Sequence, residues 1–277
     1  MPSKRFIVIT LRHSRGAVIG IVAVLILLTA LIIFEPNVIP TQAELTGYTI
    51  AIDPGHGGRD SGSAHAGVYE KEITLLLSQA IAKEIQARGG TAVLTRTSDT
   101  DLWDYISYEE EIEITKREYK QDLELGRTID SRDRGIALGT RFPPTYRLGL
   151  RARLLIAQQH NADLLLSIHT NHYRAESAKG AVTLYQPHSH ESQQLAVAIQ
   201  RYLKDLLPGR ADPGIKPDNF FILRRSEIPA VLLEIGFVSN KGDREFMLSE
   251  EGQKAIAEAV VNGIEDYFSY ISTLASY

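Results

Sequence analysis

Residues 48–62 read YTIAIDPGHGGRDSG. Tyr48–Asp53 is a short apolar run of β-forming residues, and Pro54-Gly55-His56-Gly57-Gly58 ends it with turn residues. A helix is predicted from about Glu70 to Arg88, because Ile73, Leu76, Leu77, Ala80, Ile81 and Ile85 recur at helical spacing and Gly89-Gly90 stops them. Working outward, the pattern predicts strands at Thr91–Arg96, Asp163–Ile168, Gly180–Tyr185, Phe220–Arg224 and Ala230–Ile235. It predicts helices at Leu148–Gln159, Glu191–Leu207 and Glu251–Ile271. Strands alternating with helices give an α/β fold: a single domain over residues 47–271, with a mixed, largely parallel sheet flanked by helices.

The composition narrows the function. The 277 residues include no cysteine, which excludes a disulfide-stapled scaffold and any metal site built on thiolates. With 30 Lys plus Arg against 34 Asp plus Glu, the net charge of −4 argues against a nucleic-acid partner. That charge is uneven. Lys4, Arg5, Arg12 and Arg15 face only Glu35 in the first 40 residues, so the remainder is more acidic than the total implies.

Ala17–Phe34 (AVIGIVAVLILLTALIIF) carries no charge. As a helix it would span about 27 Å, close to the ~30 Å core of a bilayer. The run is long for a cleaved signal and ends without a small-residue exit, so an uncleaved transmembrane anchor is expected. The basic residues before it predict a cytoplasmic stub at 1–16, with everything after the span on the far side. Residues 35–46, with Pro36 and Pro40, are expected to form a tether.

Residues 99–147 break the rhythm of the domain. They hold 12 acidic and 8 basic side chains and include Glu109-Glu110-Glu111. Such a stretch reads as a solvated helical insertion with its charges toward water. A lid, or a docking surface for an activating protein, is the sharper alternative.

Eight histidines are present: His13, His56, His65, His160, His169, His172, His188 and His190. Two of them, His56 and His169, stand just past strand carboxyl ends, where open α/β sheets bind ligands. Glu70 opens the first helix. Glu234 ends the apolar strand of LLEIGF, where an unpaired carboxylate is costly and calls for a partner such as a metal or its water. Two imidazoles with a carboxylate are the ligand type of catalytic zinc hydrolases, which keep a fourth position for water. Spacing alone is weak evidence here, since no local HExxH helix is present.

Ile52–Gly62 (IDPGHGGRDSG), Glu70-Lys71-Glu72, Leu94-Thr95-Arg96, Ala162–Asn171 (ADLLLSIHTN) and Ile228–Asn240 (IPAVLLEIGFVSN) occur in that order. Together they closely resemble the zinc-dependent N-acetylmuramoyl-L-alanine amidases of the amidase-3 group, over about residues 47–270 apart from the insertion. The resemblance implies Zn2+ held by His56, Glu70 and His169, with Glu234 as the catalytic carboxylate. It implies peptidoglycan as substrate, cut between N-acetylmuramic acid and L-alanine. Asn171, Arg96 and His172 are expected to contact substrate. Glu72 lies two residues from Glu70 on the same helix and so faces elsewhere. With the anchor, the resemblance implies a single-pass protein of the bacterial cell membrane with its catalytic domain on the extracytoplasmic side. Among relatives it looks most like the germination, spore-cortex type. His172 and the insertion depart from the usual pattern. The same site chemistry would also serve a zinc peptidase acting on stem peptides. A membrane-tethered wall-binding scaffold without activity is the non-enzymatic alternative, although all four site positions are occupied.

Overall fold

A computed structural model describes residues 45–207 and 214–275. The anchor expected at 17–34, the basic stub and most of the tether lie outside the described residues, and no helix among the described residues is long and apolar enough to cross a membrane. Leu45, expected in the tether, is fully buried in the domain core, and its N–H donates to the Arg88 carbonyl at 3.2 Å.

The chain runs β1 (Thr49–Pro54), a small hairpin of β2 (Ala64–His65) and β3 (Val68–Tyr69), α1 (Glu70–Ala87) and β4 (Thr91–Leu94). Next come α2 (Tyr108–Glu124), α3 (Ser131–Ala137), α4 (Thr145–Gln159), β5 (Leu164–Asn171) and β6 (Val182–Tyr185). The last elements are α5 (His190–Leu206), β7 (Ile215–Pro217), α6 (Phe221–Arg224), β8 (Ala230–Phe237), α7 (Lys241–Leu248) and α8 (Glu250–Ala275). The main sheet has the order β4-β1-β5-β8-β6-β7. β4, β1, β5 and β8 are mutually parallel, while β6 runs antiparallel to β8 and β7 parallel to β6.

Both faces of the sheet are covered, and the period-two alternation of its strands divides the core. Leu164, Leu166 and Ile168 of β5, with Val231, Leu233 and Ile235 of β8, pack against apolar stripes of α1, α5 and α8. Leu165, Ala230 and Leu232 point the other way and join Ala157 of α4 with Ile222 and Leu223 of α6. The helix leaving β1 therefore covers one face and the helix entering β5 the other. Such a reversal opens a crevice at the strand carboxyl ends.

Two expectations need correcting. Phe220–Arg224 is not a strand: Phe221–Arg224 forms the short helix α6, and β7 takes the sheet edge beside β6. Four apolar residues are too few for periodicity to separate helix from strand. The helical turn buries Phe221, Ile222 and Leu223 together and sends Arg224 and Arg225 toward the insertion. The second correction concerns part of the insertion: most of its charged side chains are exposed, as expected, but three of its carboxylates are not. Glu111 and Asp133 are fully buried, and Asp122 is nearly so. Glu111 accepts from Arg147 Nε at 2.5 Å and Arg151 Nε at 2.8 Å. Asp133 accepts from Arg147, Arg224 and Arg225, and Asp122 from Arg225. The guanidiniums of Arg147, Arg151 and Arg224 also surround the Phe221 ring. α2 and α3 are thus bolted to α4 and α6 by paired charges.

Candidate metal centre and its cavity

The carboxyl end of β1, the start of α1 and the ends of β5 and β8 converge on one point. His56 sits in the turn after β1 with φ +61, a left-handed conformation uncommon for a residue with a side chain. Backbone hydrogen bonds in both directions between Gly57 and Asp60, at 2.8 and 3.1 Å, hold that turn. Glycine is required at two neighbouring places. A Cβ on Gly55 would stand 2.4 Å from the His169 ring; one on Gly62, whose φ is +64, would stand 2.6 Å from His56 and 2.8 Å from Glu70.

Glu70 Oε1 lies 3.2 Å from His56 Nε2 and 3.0 Å from His169 Nδ1. One ligand atom from each of the three residues falls within 4.8 Å of the others, so the group can hold a metal ion. The three sequence-predicted ligands are therefore brought together. Burial alone would raise the Glu70 pKa, but the hydrogen bonds with His169 and His56 hold it far below the carboxylate range. Its second oxygen, Oε2, accepts from the Ser63 N–H and hydroxyl, both at 2.9 Å, and Thr170 N–H donates to Oε1 at 3.0 Å. Glu72 behaves as a helix-start residue instead, accepting the Tyr69 N–H at 3.3 Å.

Asp60, which the sequence reading did not single out, accepts from His56 Nδ1 at 2.9 Å. That bond leaves Nε2 as the ligating nitrogen of a neutral imidazole. Asp60→Ala is expected to weaken metal binding about 10–100-fold, measured by competition with a chelating dye. In the metal-free protein burial opposes the His56 charge, yet Asp60 and Glu70 push its pKa up to about 9 from 6.5. The folded state then keeps a proton that the unfolded chain releases above pH 6.5. The resulting stability is complete below pH 6.5 and lost as pH rises through about 9. Chelated protein should show this fall in Tm between pH 6.5 and 9. Metal-loaded protein, with the ion in place of the proton, should show a flatter profile; equal slopes would refute the assignment.

Glu234 stands directly across from His169 in the parallel β5–β8 register. Its Oε2 is buried without a hydrogen-bond partner, and burial, more than any charge nearby, pushes its pKa up. An orphaned carboxylate beside two imidazoles and a second carboxylate fits a site completed by a cation and its water.

A buried platform holds the turn from below. Asp53 accepts from Thr95 Oγ1 at 2.6 Å, from Ser167 Oγ at 2.8 Å and from Arg153. Arg153 also donates to the carbonyls of Pro54 and His56, both at 2.7 Å. Neither residue was singled out from sequence, because a buried ion pair 100 residues apart leaves no local signature. Arg96 belongs to this platform too. It is 3% exposed and donates to the carbonyls of Pro54, Gly55, Lys71 and Ser98. The expectation that it touches substrate is corrected: its donors are engaged beneath the loop, where it is a positioning residue. Asn171 accepts the His172 N–H at 2.9 Å, and His172 is exposed 6.3 Å from the His65 ring, ring centre to ring centre. Both sit outside the side chains that line the cavity around the triad.

That cavity holds about 380 Å3 and is walled by the triad and Glu234 on one side and by Trp103, Tyr146 and Phe220 on another. An open α/β sheet with two His and one Glu at its strand ends and a free carboxylate alongside has the make-up of a metallohydrolase. Residues 50–266 match the amidase-3 family model, described as N-acetylmuramoyl-L-alanine amidase, and the chain belongs to that family. It is 31% identical over 226 residues to the uncharacterized protein YqiI of Bacillus subtilis, covering 81% of this chain and 86% of that one. It is 26% identical to the germination-specific N-acetylmuramoyl-L-alanine amidase of the same organism, covering 83% and 84%. Among solved structures, the CwlD amidase of Clostridioides difficile in complex with the GerS lipoprotein superposes with a TM-score of 0.62 at 29% identity, over 80% of this chain and 99% of that one.

Proposed function

We propose that this protein is a zinc-dependent N-acetylmuramoyl-L-alanine amidase that hydrolyses the amide joining the lactyl group of N-acetylmuramic acid to the L-alanine of the peptidoglycan stem. The observation that carries this reading is the unpartnered carboxylate of Glu234 across from His169, next to the His56–Glu70–His169 cluster. His56, Glu70 and His169 are the residues that would hold the ion, a set matching catalytic zinc sites. Bound there, zinc would supply Lewis-acid polarisation of the scissile carbonyl and of a water. Glu234 would take a proton from the attacking water at its free carboxylate oxygen and pass it to the leaving amine of the stem. Its Oε2, buried and without a hydrogen-bond partner, is the atom that would carry this proton. Asp60 and Ser63 keep His56 and Glu70 oriented throughout.

Mass spectrometry of digested peptidoglycan tests the reaction. Intact stems with free L-alanine amino termini are expected, and activity should vanish with a chelator and return with zinc. Cuts found only between amino acids would replace this reading with a stem peptidase.

The apolar run 17–34, with basic residues before it, supports a single-pass anchor in the bacterial cell membrane and a catalytic domain on its outer side. Such an anchor would confine the enzyme to wall near the membrane. Fractionation checks this: the full chain should stay with membranes after a high-salt wash and a chain lacking residues 1–34 should not. The likeness to a germination-specific amidase and to an amidase in complex with a lipoprotein supports a role in germination, of the spore-cortex type, and a protein partner; we assign its docking to residues 99–147 on their exposed charge alone. Full activity of the purified zinc-loaded protein alone would remove the need for that partner.

A further inference from the structure

The apolar half of the cavity has no part in holding a metal, and the insertion builds much of it. Leu102 and Trp103 come from the strap after β4, Tyr146 and Leu150 from α4, and Phe220 and Phe221 from the turn into α6. The wall is set before any ligand arrives. Arg59 lies over the Trp103 ring at 4.3 Å and binds Asp101 with two N–H donors at 2.8 and 2.7 Å. Lys71 ties the same strap through Asp99 at 2.7 Å. The indole rests on α4 at Gly149, where a Cβ would meet it at 2.8 Å. Phe220 and Tyr146 stay 47% and 45% exposed although they line the cavity. Outside it the aromatic surface continues, for Thr145, next to Tyr146, hydrogen-bonds Tyr108, whose ring is 5.2 Å from Phe142.

We propose that this wall is a glycan subsite, on which Trp103, Tyr146 and Phe220 stack the pyranose rings of the N-acetylhexosamine chain beside the scissile amide. The inference rests on the amidase reading and adds to it which side of the substrate the insertion recognises. The stem peptide beyond L-alanine carries carboxylates and an amine, which need counter-charges. Most arginines around this wall are already paired, Arg59 with Asp101, Arg153 with Asp53 and Arg147 with Glu111 and Asp133, while Arg132 at the rim donates to the Tyr146 phenol at 3.1 Å. A sugar ring is uncharged and presents C–H faces that pack on aromatic rings, with hydroxyls left for groups such as the Tyr146 phenol. Exposed Phe142 with half-buried Tyr108 extends the surface beyond a single sugar, as a polymer would need.

Trp103 is the only tryptophan of the chain and so reports on its own site. The full-length, zinc-loaded protein is titrated with an uncharged oligomer of N-acetylglucosamine, and separately with the free stem peptide. The glycan should change Trp103 fluorescence saturably. The double variant Tyr146→Ala, Phe220→Ala should bind it about tenfold more weakly. The stem peptide should leave the signal unchanged. Calorimetry of the parent and the double variant with each ligand covers a silent fluorophore. Absent glycan binding, binding untouched by the substitutions, or a response to the peptide alone overturns the proposal. Muropeptide cleavage is scored independently on the same protein, so cleavage without glycan binding defeats the subsite and leaves the amidase reading intact. Glycan binding without cleavage does the reverse.

Discussion

Glu234→Gln is expected to lower kcat by about 10²–10⁴-fold, the usual contribution of a positioned acid–base group. The amide is nearly the shape of the carboxylate, so the fold and the metal ligands His56, Glu70 and His169 should be kept. Zinc content of the variant should equal that of the parent. A stability gain should accompany the loss of activity. Glu234 has its folded pKa raised by burial, so the folded state holds its proton more tightly than the unfolded chain does. Stability is therefore greatest below the ordinary glutamate pKa and falls as pH rises through the raised value. Above that raised pKa the metal-free protein carries a buried charge whose Oε2 has no partner. Replacing it with a neutral group should remove a cost of about 1–3 kcal/mol. Zinc beside the carboxylate should shrink that gain, since its charge stabilises the anion. Thermal unfolding of parent and variant, with and without zinc, checks both statements. A variant that kept full activity would take Glu234 out of the reaction and favour the non-catalytic scaffold.

Asp133→Ala should be the most destabilising single change away from the metal centre. Asp133 is fully buried and accepts from three arginines: Arg147 at 2.5 Å, Arg224 at 3.0 Å and Arg225 at 2.6 Å. Removing it takes the shared carboxylate from three guanidiniums, of which Arg147 keeps Glu111 and Arg225 keeps Asp122, a loss of about 3–5 kcal/mol. For a domain of this size the Tm should fall by roughly 6–20 °C. The pH dependence has the opposite sign to that of Glu234. Burial opposes the Asp133 charge, but Arg147, Arg224 and Arg225 outweigh it and lower its pKa to about 2. Its contribution is present above the ordinary aspartate pKa and lost as pH falls through about 2. The damage should also reach the cavity. Phe221 lies under the same arginines, and Phe220 and Ile222 beside it line the site. A tenfold or larger rise in KM at temperatures where the variant is still folded would mark that coupling, and a KM equal to the parent's would show that the cluster serves stability alone.

The chemistry of this protein is legible in its sequence because the residues that carry it lie at the ends of strongly patterned elements. The apolar run before His56, the helical stripe after Glu70 and the LLLSI and VLLEI strands before His169 and Glu234 all announce themselves by period. Open sheets place their reactive groups at such strand ends. The start of α1 and the ends of β1, β5 and β8 accordingly lie close to their expected places. Arg96 was misread for the complementary reason. A charged residue at a strand end has the same signature whether it points into the crevice or underneath it, and only packing directs its donors to four carbonyls below the loop.

Sequence alone thus determined the α/β class and the absence of thiolate ligands, which follow from local periodicity and residue type, while the two imidazoles and two carboxylates of the candidate site were assigned by resemblance to the amidase-3 family. Only the tertiary structure decided what residues 99–147 are. Their charges resemble a solvated surface because a run of Glu, Lys and Arg looks the same whether its partners are water or distant arginines. The partners of Glu111, Asp122 and Asp133 are Arg147, Arg151, Arg224 and Arg225, drawn from helices up to 103 residues away. Pairing over that separation is a property of the folded chain. It turns an acidic insertion into the support for one wall of the cavity.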